Sequence, residues 1–341
     1  MPLLEQNIGG LWVAKQSAKG TAASTPIKRL NWTAGSLEAN RADGSEPAMA
    51  TERFGKQIDY VDSLSGAGDP QVPALPPDLA YLLYLFFGAE TVTGAADPYV
   101  HQFTPQAAGG FWATFWKSVG GSVVKRQRFA DCRISQLTIE GSTGSKVVKV
   151  TPTIVCLDPA EEINADPIVA FSPGNPFLYT EGEGTFTIDG QVFRGQSQFS
   201  VTWNENLTPI YGDSVTAYDV ATGQPDITVG VTIYLDAAGL QRYNAQVYGT
   251  PTPTAGAKPS KFLPALGSYG FTLAQKDASG PLTPAREFGL SLPGVKWSPD
   301  LAVPANPQGG ATEISLAGSV RKSGVSALST VTVTNGDAAY A

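Results

Sequence analysis

The sequence predicts a mainly β protein built as two related β-sandwich or half-barrel units, each flanked by one α-helix, with long loops between the strands. Three observations predict it. Apolar and polar residues alternate along several runs, turn signals join those runs, and only two segments carry a helical pattern.

In chain order, the first clear element is a helix. Pro76, Pro77 and Asp78 open LAYLLYLFF, which stops at Gly88. Proline is tolerated in the first helical turn, and glycine takes the left-handed conformation just past the end. Residues 111–119 (FWATFWKSV) place Trp112 and Trp116 in a buried strand or interface rather than on a sugar- or base-stacking platform. Gly141, Ser142, Thr143 and Gly144 lie between LTIE and KVVKV and read as the loop of a hairpin over residues 133–155. Asp189-Gly190 is a two-residue hairpin signal, because both positions tolerate the positive φ of a type I′ turn.

Residues 191–203 then set Phe193, Phe199, Val201 and Trp203 opposite Arg194, Gln198, Ser200 and Thr202. Residues 226–235 place Ile227, Val229, Val231, Ile233 and Leu235 on one face and Thr228, Gly230 and Thr232 on the other, as in a half-buried strand. A second helix is expected from Asp236 to Tyr248, ending at Gly249, with Leu240, Tyr243 and Val247 on one stripe. Near the end Val331 and Val333 alternate with Thr330, Thr332 and Thr334. Three polar stretches, 34–51, 250–264 and 298–312, read as excursions from the core.

The two helices suggest an internal duplication. Each follows a strand and ends in aromatic-Gly, Phe87-Gly88 and Tyr248-Gly249. The surroundings of Trp32 (LNWTAGSLE) resemble those of Trp203 (VTWNENLTP), and the hairpin 133–155 has a counterpart in 314–333. This order gives an N-terminal unit over 1–160, a linker over 161–175 and a C-terminal unit over 176–341.

Composition narrows the function. Of 341 residues, charged ones make up 16% and apolar ones 42%. A surface so poor in charge favours repeated self-contact. The formal charge is −7 and no Lys/Arg run exceeds Lys125-Arg126 in length, which argues against a nucleic-acid-gripping groove. The opening MPLLEQNIGGLWVAKQ has no basic segment followed by an apolar one, so no secretory leader is expected. No apolar run reaches the ~20 residues that span a bilayer, and a soluble protein without membrane contact is expected.

Catalytic chemistry is expected to be absent. With His101 as the single histidine and Cys132 and Cys156 as the only cysteines, a zinc site lacks ligands. Any Ser-His-Asp triad would have to use His101, and no G-x-S-x-G elbow presents a nucleophile. GSTGSK (141–146) lacks phosphate-loop spacing. Both cysteines lie in strand-like runs and read as small buried apolar residues, with a disulfide open if the two strands are neighbours. No cofactor is implied.

The arrangement as a whole resembles one family. A stretch GLWVAKQSAKGTA (10–22), a Trp-bearing segment, a helix after a long loop, YVHQFTP before an aromatic strand, and FADCRISQLTI leading into a hairpin are similar to tail tube proteins of long non-contractile-tailed bacteriophages. The resemblance implies tail-tube-like domains whose inner sheets join those of neighbouring copies into a barrel, with rings stacked into a conduit for DNA. It implies as partners further copies of the chain, a tape measure protein, and tail terminator and distal tail proteins. DNA would pass without specific binding. The location would be the virion tail, after assembly in the host cytoplasm. Two domains per chain would make a ring of three chains; six is the alternative.

Lumen positions should be polar and net acidic, and Thr228, Thr232, Thr330, Thr332 and Thr334 are candidates for that face. Trp32, Trp112, Trp116 and Trp203 are candidates for core or interface aromatics. Two competing readings are a carbohydrate-binding or adhesin-like β-sandwich of a virion or cell surface, and a polysaccharide-degrading enzyme using two carboxylates.

Overall fold

A computed structural model describes residues 9–340 except 47–57, 108, 121–123, 163–165, 167–168, 183, 261–265, 278–279, 300–311, 323 and 325–326. Where apolar residues alternate in the sequence, strands form. The first half contains β1 (Gly9–Lys15), β2 (Lys28–Leu30), β3 (Leu37–Glu46), β4 (Ile58–Gly68), β5 (Val72–Pro73), α1 (Pro76–Phe87), β6 (Thr91–Thr93), β7 (Tyr99–Phe103), β8 (Ala113–Val119), β9 (Lys125–Ser142) and β10 (Lys149–Glu161). After a 3-10 turn at Tyr179–Gly182, the second half contains β11 (Thr187–Ile188), β12 (Gln191–Val192), β13 (Gln196–Asn204), β14 (Leu207–Ile210), β15 (Asp219–Thr222), β16 (Asp226–Tyr234) and α2 (Ala237–Tyr248). It closes with β17 (Gly267–Ala274), β18 (Lys276–Asp277), β19 (Gly280–Pro281), β20 (Glu287–Pro299), β21 (Glu313–Val320) and β22 (Thr330–Asn335). The fold is mainly β with two helices, as the alternation predicts.

Local signals act as expected. Both helices end on a left-handed glycine, Gly88 at φ 77° and Gly249 at φ 74°. The Asp236 side chain caps α2 by accepting from the Gly239 amide at 2.7 Å. Asp189 (φ 53°) and Gly190 (φ 73°) turn β11 into β12.

The strand order is the same in both halves. In the first it runs β2–β1–β8–β9–β10–β4–β3, and in the second β12–β11–β17–β20–β21–β16–β13, every pairing antiparallel. The chain visits these strands in the same sequence in each half, and a helix follows β4 in one and β16 in the other. Among the described strands, two pairings join the halves into one sheet system, β9 with β13 and β7 with β22. A single hydrophobic cluster runs through both, from Leu11 to Val333.

Several expectations are corrected. Residues 37–46 are not an excursion but strand β3; polar residues on both faces hide its alternation. The excursion residues 47–51, 261–264 and 300–311 lie outside the described residues. Residues 314–333 do not form a hairpin. β21 and β22 both lie against β20 instead, so the partner of β9–β10 is β20–β21. Trp32 lies outside any strand, whereas Trp203 is in β13, whose place in the strand order is matched by β3.

Leu240 is 47% exposed, and the buried stripe of α2 is Gly239, Tyr243 and Val247, spaced one helical turn apart. Cys132 and Cys156 are opposite each other in the β9–β10 register and are joined in a disulfide, rather than standing as separate core residues.

Candidate assembly surface

The join between the halves follows from the length of β9. Its eighteen residues exceed what one neighbour covers. β10 takes one flank from Gln127 to Glu140, while β8 takes the other as far as Cys132. From Gln136 onward that second flank is free for β13, with Gln136 opposite Asn204 and Ser142 opposite Gln198.

Beneath the seam lie Leu137, Ile139, Val201, Trp203, Ile227, Val229 and Val231, all buried. Trp203 donates its indole N–H to Ser329 Oγ at 3.0 Å and meets Phe87 edge-on, with ring centroids 6.0 Å apart.

A buried ion pair closes one end of the seam. Glu205 accepts from Arg133 Nη2 at 2.7 Å and from the Gly110 amide at 3.1 Å, with both side chains at or below 10% exposure. Burial pushes the Glu205 carboxyl up, and the Arg133 charge pulls it back down. Such a pair adds little net stability but fixes register, because an offset would leave either charge buried alone.

The opposite face of this sheet is polar. Thr151, Thr138, Thr202, Thr228, Ser319 and Lys296 form one row across β10, β9, β13, β16, β21 and β20. The Thr138 and Thr202 hydroxyls are 3.0 Å apart across the seam. A parallel row holds Ser142, Gln198, Thr232 and Ser315.

Of the threonines singled out in the sequence, Thr228 and Thr232 therefore share this face. Thr330 and Thr332 are opposite Ser291 and Gly289, on a separate flank built by β20, β22 and β7. Thr334 is only 8% exposed, so it presents no open surface. Thr138, Thr202 and Ser319 were missed. Their alternation is visible in the sequence, but their shared row depends on which strands pair.

The aromatics divide. Trp116 is buried with Trp12 and Ala14 in a small second cluster. Trp112 is half-buried between Lys19 Nζ (5.6 Å) and the Arg133 guanidinium (5.8 Å). Trp32 is half-buried, donates to the Ala34 carbonyl at 2.7 Å and lies under Lys117 Nζ at 5.5 Å. His101 is fully buried. Its Nδ1 is 2.8 Å from Glu90 Oε2, and its Nε2 is 3.0 Å from the Asp337 carbonyl, so it ties the C-terminal segment to the first half.

Beyond the seam, the hairpin β14–β15 reaches back over the first half. The Leu64 amide donates to the Val215 carbonyl at 2.7 Å, and Lys19 pairs with Asp219 at 3.0 Å while bonding the Tyr218 carbonyl. Leu64 belongs to β4, so this hairpin rests on the β3–β4 hairpin, within which β3 pairs with β4 alone among the described strands. No helix among the described residues is long and apolar enough to cross a membrane.

A mainly β chain with sheet-to-sheet joins, and with open strand edges among the described residues, is an arrangement that favours assembly. The model of a family described as phage tail tube protein matches residues 7–257. The chain belongs to the phage tail tube proteins. No curated protein sequence matches it. As a tail tube protein it is a structural component of the virion tail and self-assembles into a tube with other tail proteins. Membership in a structural family points away from enzymatic activity.

Proposed function

We propose that each chain carries two tail-tube-like domains, 1–160 and 176–341 joined by 161–175, and that three chains close a ring. Rings then stack into the tube through which DNA passes into the host. One observation carries this reading: the strand order of the first half recurs in the second, and the halves join edge to edge through β9 and β13. A head-to-tail contact that closes by rotation makes a ring. Two domains per chain give three chains the six sheet units that a hexamer of single-domain chains would have.

The polar face of the seam sheet, with Thr138, Thr202, Thr228 and Thr232, would line the bore. Its rows carry Glu140, Asp226 and Glu313 against Lys149 and Lys296, a small acidic excess. Short hydroxyl side chains with no run of cations give phosphates nowhere to lodge, which suits passage without specific binding. The tape measure protein would occupy the bore during assembly in the host cytoplasm, and the terminator and distal tail proteins would meet the ends.

Electron microscopy of the purified protein, alone and with nucleating tail components, tests the reading. Hollow tubes whose cross-section shows three densities of two similar lobes are expected. Chains that stay monomeric even with nucleating components would overturn it.

A further inference from the structure

The sheet of the first half changes neighbours at one row, and that row carries the two cysteines. Gly66, Cys156, Cys132 and Ala113 face one another in turn across β4, β10, β9 and β8. Along β9, Cys132 is the last residue set against β8; along β10, Cys156 is the last set against β4. Beyond Cys132 that flank of β9 has no strand partner among the described residues until Gln136 meets Asn204 of β13. In the gap β9 is held by the Arg133–Glu205 ion pair and by the Glu205 amide, which donates to the Ser135 carbonyl at 2.8 Å.

A bond between Cys132 and Cys156 therefore acts where β9 has least support from the ladder. The two residues are 24 apart in sequence, fully buried and joined as a disulfide. Gly66 makes the room: a Cβ there would come within 3.0 Å of the Cys156 Cβ and 2.8 Å of the Phe129 ring. The residue after Cys132 is Arg133, so tying β9 to β10 here also fixes the backbone that aims the guanidinium at Glu205. As thiols the pair would still pack as small apolar side chains, so the fold does not need the bond in order to form.

A virion protein meets two redox environments. Thiols stay reduced in the cytoplasm, whereas disulfides persist outside the cell and on virions. We infer that Cys132 and Cys156 form a redox lock: two thiols while the chain assembles in the host, and a disulfide once the virion is released, holding the join between the halves rigid. The inference rests on the reading that assembly is cytoplasmic. It gives the chain a pliable state for joining its neighbours and a stiffer one for the finished tube.

The oxidant is a soluble disulfide, RSSR. One cysteine thiolate attacks it, forms a mixed disulfide and expels one thiolate, RS⁻. The other cysteine then attacks the protein sulfur of the mixed disulfide, closing the Cys132–Cys156 bond and expelling a second RS⁻. Two electrons pass to RSSR, and the two protons shed by the cysteines end on the two RSH. Local opening at this row exposes the sulfurs, because each cysteine marks the end of its strand's outer ladder.

Thiol trapping tests the lock. Cells producing the chain are quenched in acid, the protein is denatured in the presence of N-ethylmaleimide, and its mass is measured. Cytoplasmic chains should carry two labels each; native protein incubated with oxidised glutathione should carry none. Oxidised protein should melt about 5 °C above reduced protein. Its amides at residues 132–136 and 203–205 should also exchange more slowly. The variant Cys132→Ala/Cys156→Ala should show no difference between the two conditions, and the wild-type comparison stands without it. Unlabelled chains in the cytoplasm, labels that persist after oxidation, or equal melting and exchange in both states would overturn the lock. None of these readouts needs a ring, so chains that show the lock yet never form tubes would overturn the ring reading alone.

Discussion

The helices of the two halves occupy matching places in the strand order, yet one is core and the other is surface. All twelve residues of α1 are buried, whereas in α2 only Gly239, Tyr243 and Val247 are. The cause lies outside either helix. β22 leaves the second half to pair with β7 of the first, and the chain end follows it across. Tyr340 donates to the Pro77 carbonyl and Asn335 to the Pro76 carbonyl, so the C-terminal segment roofs the start of α1. Among the described residues nothing comparable covers α2. A repeated strand order thus fixes where a helix sits, while the connecting and terminal segments decide how deeply it is buried.

Breaking the join between the halves should have the largest effect. Glu205→Ala leaves Arg133 buried without its partner and should cost about 3–5 kcal/mol in denaturant unfolding. Next comes the direct contrast of the helices. Leu82→Ala, at a fully buried site in α1, should cost about 2–5 kcal/mol, whereas Leu240→Ala in α2 should change stability by no more than about 0.5 kcal/mol. Similar losses at both sites would show α2 to be as buried as α1.

The base of α1 should also titrate. Burial raises the Asp78 carboxyl to about 6, against the hydrogen bond it accepts from Ser172. Because the folded value lies above the unfolded one, stability should fall as pH rises from about 4 to about 6 and stay lower above that. The loss amounts to up to about 3 kcal/mol, at 1.36 kcal/mol per unit. Asp78→Asn should remove this slope, so wild-type and variant unfolding curves should diverge between those pH values. The smallest loss among the buried contacts is expected for Tyr340→Phe, which deletes the roof's hydroxyl contacts and should cost about 1 kcal/mol, read as a small drop in Tm.

Much of the fold was legible in the sequence, because strand alternation, proline at a helix start, glycine at its end and the Asp189-Gly190 turn act within a few residues. Those signals located α1, α2, β13 and β16, and they placed Thr228 and Thr232 opposite an apolar stripe. Strand β3 escaped, because LEANRADGSE has no apolar stripe to reveal its period. Leu240 was misplaced because the stripe in α2 begins one residue earlier, at Gly239.

Strand partners could not be read locally. A half-buried strand shows the same alternation whichever neighbour it takes, since ladder hydrogen bonds run between backbones and carry no side-chain address. Only the tertiary structure therefore decided that β13 joins β9, that β22 crosses to β7, that Cys132 meets Cys156, and that Thr138, Thr202 and Thr228 stand in one row.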